Sequence, residues 1–295
     1  ALTDRLDLTT ALRYTTEEKS VDVATLSLNV NSPCSVVRDT CPFDFTDSEE
    51  WDSFSPKIGL NYSVRENVSL YGHWTRGFRS GGYNLRNSAV DTVNFGPGPF
   101  DQEQVDSFEV GLKSEWDRGR FNVAIFQNNI QDLQREIQLT DPVVGIVQLI
   151  RNTADADLTG AEFEALFQVT DSLILDVSLG LLDAQYSDVQ FDLNGDGVLN
   201  AADEALDLPR APEVTYSIGL VHDADIGNWG TVSSRMNYAY RDESAFTDNN
   251  LGFILDQEIL DIGIDIRPDG ASWELGFYGR NLLNSVLHGT DGQLP

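Results

Sequence analysis

Val68-Ser-Leu-Tyr-Gly-His-Trp-Thr-Arg76 decides the fold. Val68, Leu70, Gly72 and Trp74 alternate with Ser69, Tyr71, His73 and Thr75, which gives one apolar and one polar side. An extended chain turns successive side chains to opposite faces, so a period of two predicts a β-strand. The same period recurs on either side. Before it come Leu6, Leu8, Thr10, Leu12 and Tyr14, then Ile58, Leu60 and Tyr62. After it come Phe108, Val110 and Leu112; Phe121, Val123 and Ile125; and Ala161, Phe163, Ala165, Phe167 and Val169. Further on are Leu173 to Leu181, Val214 to Leu220, Val232 to Tyr240, Leu260 to Ile266, and Trp273, Leu275 and Phe277. Eleven strands are expected, near 5–16, 53–63, 67–78, 105–117, 119–140, 145–169, 172–187, 211–223, 230–242, 255–267 and 271–283.

The connections alternate in length. Short ones lie at 64–67, 117–119, 170–172, 223–230 and 268–270; long ones at 17–52, 79–104, 188–210, 243–254 and from 284 onward. Only 141–144 departs from this, between two unusually long strands. A soluble sandwich has no reason to alternate, whereas an outer-membrane barrel has short periplasmic turns and long extracellular loops. In such a barrel the apolar face meets lipid and the polar face lines the lumen. The polar faces here carry Asp7, Arg13, Lys57, Glu109, Lys113, Glu162, Glu164, Asp176, Arg235 and Glu274. Tyr14, Tyr62, Trp74, Trp116, Tyr240 and Trp273, near strand ends, fit interfacial girdles. The expected fold is therefore all-β: part of an antiparallel transmembrane β-barrel. Eleven is an odd count, and bacterial single-chain barrels have even ones, so the remaining strands are expected elsewhere in a parent protein.

Charge excludes other classes. Nineteen basic against 48 acidic residues give a formal net charge of −29, which opposes nucleic-acid binding. The longest apolar run, Val123 to Phe126, is far short of the ~20 residues a membrane helix needs. Cys34 and Cys41 are the only cysteines and are expected to form one loop disulfide in an oxidising compartment. No nucleophile elbow, phosphate loop or dinucleotide fingerprint occurs, and His73, His222 and His288 are far apart, so no catalytic residue is expected. Glu162 and Glu164 are more simply lumen polarity than glycosidase acids.

Two stretches carry candidate sites. Asp192-Leu-Asn-Gly-Asp-Gly-Val-Leu-Asn-Ala-Ala-Asp203, inside loop 188–210, has the spacing of an EF-hand-like calcium loop. Asp192, Asn194, Asp196, Asn200 and Asp203 would give side-chain oxygens, Val198 its carbonyl, and Gly197 the sharp turn. Such a Ca2+ ion would be structural, stiffening an extracellular loop. Arg76, Phe78, Arg79, Tyr83 and Asn84 enter a long loop at a strand top and are expected to contact a ligand bearing carboxylates or catechols. Stretch 17–52 holds nine acidic residues against two basic. That excess fits solubility in saline, divalent-ion bridging to lipopolysaccharide, or steering of cationic ligands.

Several of these stretches resemble TonB-dependent outer-membrane receptors of the siderophore type: Ser55 to Tyr62, Asn67 to Asn84, Asp101 to Lys113, Leu158-Thr-Gly-Ala-Glu-Phe-Glu164, Leu208-Pro-Arg-Ala-Pro212 and Gly279-Arg-Asn-Leu-Leu283. Asn152-Thr-Ala and Leu12 to Lys19 match as well. The order and spacing of these stretches carry the resemblance across nearly the whole chain. It implies that residues 1–295 are the C-terminal portion of a barrel of about 22 strands, with the plug, the TonB box and the final strand outside this sequence. It further implies uptake of a scarce ligand, most simply a ferric siderophore. Expected partners are the inner-membrane TonB complex, that small molecule, membrane lipid and lipopolysaccharide. The alternatives are a receptor for an oligosaccharide or cobalamin, or a secreted calcium-stabilised adhesion protein.

Overall fold

The structure is a computed structural model describing residues 2–23, 45–85, 96–141 and 145–286, with backbone alone at 138–141 and 145–146. The strands are β1 Leu6–Val23, β2 Phe45–Arg65, β3 Val68–Arg79, β4 Glu103–Trp116, β5 Gly119–Asp141, β6 Gly145–Gln168, β7 Leu173–Val189, β8 Val214–Asp225, β9 Gly230–Arg241, β10 Ser244–Ala245, β11 Phe253–Ile254, β12 Gln257–Pro268 and β13 Leu275–Gly279. One helical turn, α1, spans Ala201–Glu204. Eleven of the strands make one antiparallel sheet in the order β1 to β9, then β12 and β13; β10 and β11 form a separate small hairpin. β1 and β13 are the two ends of that sheet and do not pair with each other, so the described part of the barrel is open.

The apolar residues stay in register from strand to strand. One row runs Leu70, Leu112, Val123, Phe163, Leu179, Tyr216 and Tyr240 across β3 to β9. One pleat towards the short turns, Phe121, Ala165, Val177, Ile218, Tyr238 and Leu260 form the next, with the polar Ser114 at its β4 end. Among the described residues no other layer covers this side: Val110 is 59% exposed and Ile125 55%. Aromatic pairs edge the belt. Trp74 stacks on Phe108 at 6.3 Å, and Tyr216 lies 5.1 Å from Tyr240 on the long-loop side. Trp116 lies 5.1 Å from Phe121 on the short-turn side. Rings at both margins of an apolar band are the girdle of a membrane barrel.

The strands are longer than a membrane requires. β5 and β6 have 23 and 24 residues, where about 9–11 suffice to cross. At about 3.3 Å per residue each ladder extends some 75 Å, so more than half stands beyond the belt. The expected boundaries fall short here. Stretch 17–52, expected as loop, supplies the tops of β1 and β2, paired from Glu17 with Trp51 to Val23 with Phe45. Thr, Glu, Ser and Asp occupy both faces there, so no apolar period marked the ladder. β7 likewise continues to Val189. The last strand is shorter than expected, at Leu275–Gly279.

Above the belt the chain has a water-type core. Ala154, Ala156, Tyr186, Val189, Leu193 and Leu208 are buried together, with Phe191 and Leu206 packed against them. Ile137, Val147 and Leu149 form a second cluster, also against Phe191. The loop between β7 and β8 thus folds back onto the tops of β5, β6 and β7. Cys34, Cys41 and His288 lie outside the described residues.

Candidate functional site

Alternation sorts the five expected ligand residues. Arg76 and Phe78 share a face with Leu70 and Trp74, the apolar, outward side. There Arg76 is engaged by Asp106 through two hydrogen bonds, 3.0 Å from Nε and 2.7 Å from Nη2, and Trp74 Nε1 donates to the same carboxylate at 3.0 Å. This pair stands just above the girdle rather than over the lumen. Arg79 falls on the opposite, polar face, across from Glu103. Asn84 is a structural tie, donating to the Ile150 carbonyl (3.0 Å) and accepting from the Ile150 N–H (2.6 Å).

Tyr83 meets partners that the sequence did not single out. Its ring lies edge-on to Phe45 at 6.4 Å and to Trp51 at 6.2 Å. Its hydroxyl donates to Asp47 Oδ2 at 3.2 Å. Burial first, and then the Asp47 carboxylate, push the Tyr83 hydroxyl up to about 12, so it stays a neutral donor at physiological pH. Lys19 lies over the Trp51 ring at 5.4 Å and donates to Ser80 Oγ (2.6 Å) and the Gly81 carbonyl (2.5 Å). Gly81 is required there, because a Cβ would collide with the Trp51 indole and the Phe100 carbonyl. Glu17, Lys19, Asp47, Glu49 and Trp51 all lie on the polar face. The result is an aromatic and charged shelf on the inner wall, at the long-loop end. The signal that finds it is the ladder of β1 and β2; an apolar period alone misses Trp51.

The inner wall below is mainly polar, with Phe126, Leu158, Leu166 and Leu182 among its apolar members. Tyr71 donates to Glu109 Oε1 at 2.7 Å, Lys113 lies over the Tyr71 ring, and Asn122 donates to Glu164 at 3.2 Å. Arg235 pairs with Asp265, and the hydroxyls of Ser178 and Ser217 are 2.8 Å apart. Such a surface can hydrogen-bond water or a polar solute, and no nucleophile with an adjacent base stands out on it.

The loop 190–213 has the local turns of its motif. Asp192 accepts from the N–H of Gly195 and Gly197 at 2.7 Å each, Asn194 from Asp196, and Asp196 from Val198. Gly195 and Gly197 take positive φ, +77° and +87°. Asn200 caps α1. Asp203, fully buried, accepts from the backbone N–H of Leu193, Asn194 and Asn200 at 2.9–3.1 Å. Burial alone would raise its carboxyl; the three amides outweigh burial and hold it below the usual carboxylate range. No three His, Cys, Asp or Glu side chains gather closely enough for a metal among the described residues. The motif's oxygens are present but bound to backbone donors, and Val198 keeps its carbonyl on Asn200 Nδ2 at 2.7 Å.

Known proteins resolve what this wall belongs to. Residues 1–282 match the family described as TonB dependent receptor-like, beta-barrel. The chain belongs to that family. It is a family of outer-membrane receptors and transporters, not enzymes. The pesticin receptor of Yersinia enterocolitica is 23% identical over 186 residues, covering 63% of this chain and 25% of the receptor. The ferric yersiniabactin uptake receptor of Yersinia pestis superimposes with a TM-score of 0.71 at 18% identity, over 96% of this chain and 38% of that one. A siderophore receptor from Acinetobacter baumannii gives 0.67 at 14% identity, over 96% and 37%. A copper transporter of the same fold gives 0.65 at 14%, over 95% and 40%. The chain therefore spans about a quarter of the pesticin receptor and under half of these structures, and identities this low speak for the fold alone.

Proposed function

We propose that this chain is the C-terminal wall of an outer-membrane receptor that imports a ferric siderophore, energised through the TonB complex of the inner membrane. The observation that carries the reading is the division of the sheet into two sides. Its apolar residues stay in register on one side across the strands, while the other side is polar and ends in the shelf of Lys19, Trp51, Arg79 and Tyr83. A wall with lipid on one side and solute on the other is what a transporter needs. Aromatic rings and cations at the outer rim suit a chelate with catechol or carboxylate oxygens. Receptors for ferric yersiniabactin and other siderophores share this fold, and the iron reading takes its ligand class from them. On this reading Arg79 and Tyr83 contact the ligand, while Arg76 and Phe78 face the lipid and lipopolysaccharide side. A strain lacking the full receptor should grow poorly under iron limitation and recover with the gene restored. Unaltered growth would contradict the iron reading.

We also propose a structural Ca2+ in loop 190–213, held by Asp192, Asn194, Asp196 and the Val198 carbonyl, with Asn200 and Asp203 closing the site. The spacing and the Asx turns support it; binding would require Asp203 to trade backbone donors for the ion. Calcium should raise protease resistance of this loop in the full receptor, and Asp196→Ala should abolish that effect. Equal cleavage of both proteins with and without calcium would contradict it.

A further inference from the structure

We infer that Arg241 is an anion-binding residue of the receptor, and that the imported chelate presents it with a carboxylate. This rests on the siderophore reading above and narrows it.

Arg241 ends β9 at the root of the long loop that holds the β10–β11 hairpin. Tyr240, Tyr238 and Met236 are on the apolar side of β9, so Arg241 faces inward with Ala239 and Asn237. Among the described residues its Nε and Nη2 are shut from solvent and meet no hydrogen-bond partner. Three other cations toward this end of the sheet are engaged. Arg135 pairs with Asp248 at 2.6 Å, Arg76 with Asp106 at 2.7 Å, and Lys19 with Glu17 at 3.1 Å. The carboxylate next in sequence is turned away: Asp242 Oδ1 accepts from Tyr240 Oη (3.2 Å) and from the Glu243 N–H (3.0 Å), beside the outward ring. Across the ladder Arg241 is flanked by Thr215 on β8 and Gln257 on β12, with Gly180 beyond Thr215 on β7, all uncharged.

Two guanidinium nitrogens withdrawn from water without an acceptor lose their hydration and gain nothing in return, while the half-buried side chain leaves the group an approach from the lumen. The loss is recovered when a second charge arrives. The planar fork of Arg matches a carboxylate through two parallel N–H···O bonds. The place also fits, because Arg241 lies at the loop end of the inner wall, where a solute enters before passing between strands. In a protein of net charge −29, a cation left unpaired at this point selects for an anionic group against the surrounding field.

The test uses the full-length receptor in a strain lacking it, with uptake of radioactive iron from two probes: ferric citrate, which carries free carboxylates, and ferrioxamine B, a hydroxamate complex without one. The expected result is receptor-dependent uptake from ferric citrate alone. Arg241→Gln should lower it about tenfold to a hundredfold, the range for a lost charge-assisted hydrogen bond, and Arg241→Lys should restore part of it. Heat stability of the purified Arg241→Gln receptor should match wild type. Equal uptake by wild type and Arg241→Gln, or uptake from ferrioxamine B alone, overturns the inference while leaving the importer reading intact. Uptake from neither probe overturns the inference, and the growth test under iron limitation then decides the importer reading separately. A loss of stability without ligand overturns it in favour of an internal contact with another part of the receptor.

Discussion

Ile125 and Leu149 are aliphatic side chains of equal size on neighbouring strands, β5 and β6. One is 55% exposed and the other 2%. Ile125 belongs to the belt, where the strands contribute apolar residues to a surface that none of the described residues covers from above. Leu149 belongs to the upper wall, where Ile137, Val147 and Phe191 close around it. The two zones obey different solvents. In the belt, exposure of apolar groups is the stable arrangement, and backbone groups are satisfied by the ladder alone. Above it, the same residues must be hidden from water, and the loop between β7 and β8 supplies the cover. One ladder thus carries two kinds of apolar side, separated by the Trp74–Phe108 girdle and its Asp106 carboxylate.

Mutations can break that contrast, each read in the full receptor. The largest effect is expected in the upper core. Leu149→Ala should cost about 2–5 kcal/mol, the range for truncating a buried aliphatic, and should appear as faster proteolysis of the extracellular loops. The belt should respond to charge instead of size. Val110→Lys, one pleat inside the Phe108 girdle on β4, should cost about 1–3 kcal/mol when unfolding is followed in lipid, although Val110 is 59% exposed. A surface substitution at such an exposed site in a water-soluble protein would stay within about 0.5 kcal/mol, so a neutral result would remove the difference between the zones.

Asp203 sharpens the picture by pH. Its folded-state pKa is below the unfolded value, so its contribution is present above the unfolded pKa, about 3.9, and is lost as pH falls through the folded value. Protection of loop 190–213 from proteolysis or hydrogen exchange should therefore weaken on acidification below about pH 4, and the Asp203→Asn loop should lack that transition. A pH-independent loop would contradict the capping role. Smallest should be Asp248→Asn. Its pair with Arg135 is partly solvated, so the loss should be about 1 kcal/mol or less and should shrink with added salt.

The belt was legible in the sequence because lipid imposes one rule on every residue of one face. Val68 to Trp74 and Phe121 to Ile125 carry that rule openly, and the strands around them lie where their period places them. Above the belt the rule lapses. Thr15 to Val23 and Phe45 to Asp52 show no apolar alternation, since polar and charged residues occupy both faces, and only the pairing register shows that they continue β1 and β2. Trp51 was hidden by the same lapse. Adjacency in sequence groups Arg76 and Phe78 with Arg79 and Tyr83. Period-two geometry divides them, and applied strictly it would have done so from the sequence. Arg241 needed the structure, since what marks it is the absence of a partner.

Lipid contact of the apolar face is the central claim, and side-specific quenching tests it most directly. Single cysteines at Val110 and Ile125, and at Glu109 and Ala124 on the opposite face, would carry a fluorophore in the full receptor reconstituted in vesicles. The account predicts strong quenching by lipid-borne quenchers at 110 and 125, and little at 109 and 124. Quenching at 110 and 125 by water-soluble agents alone would contradict it.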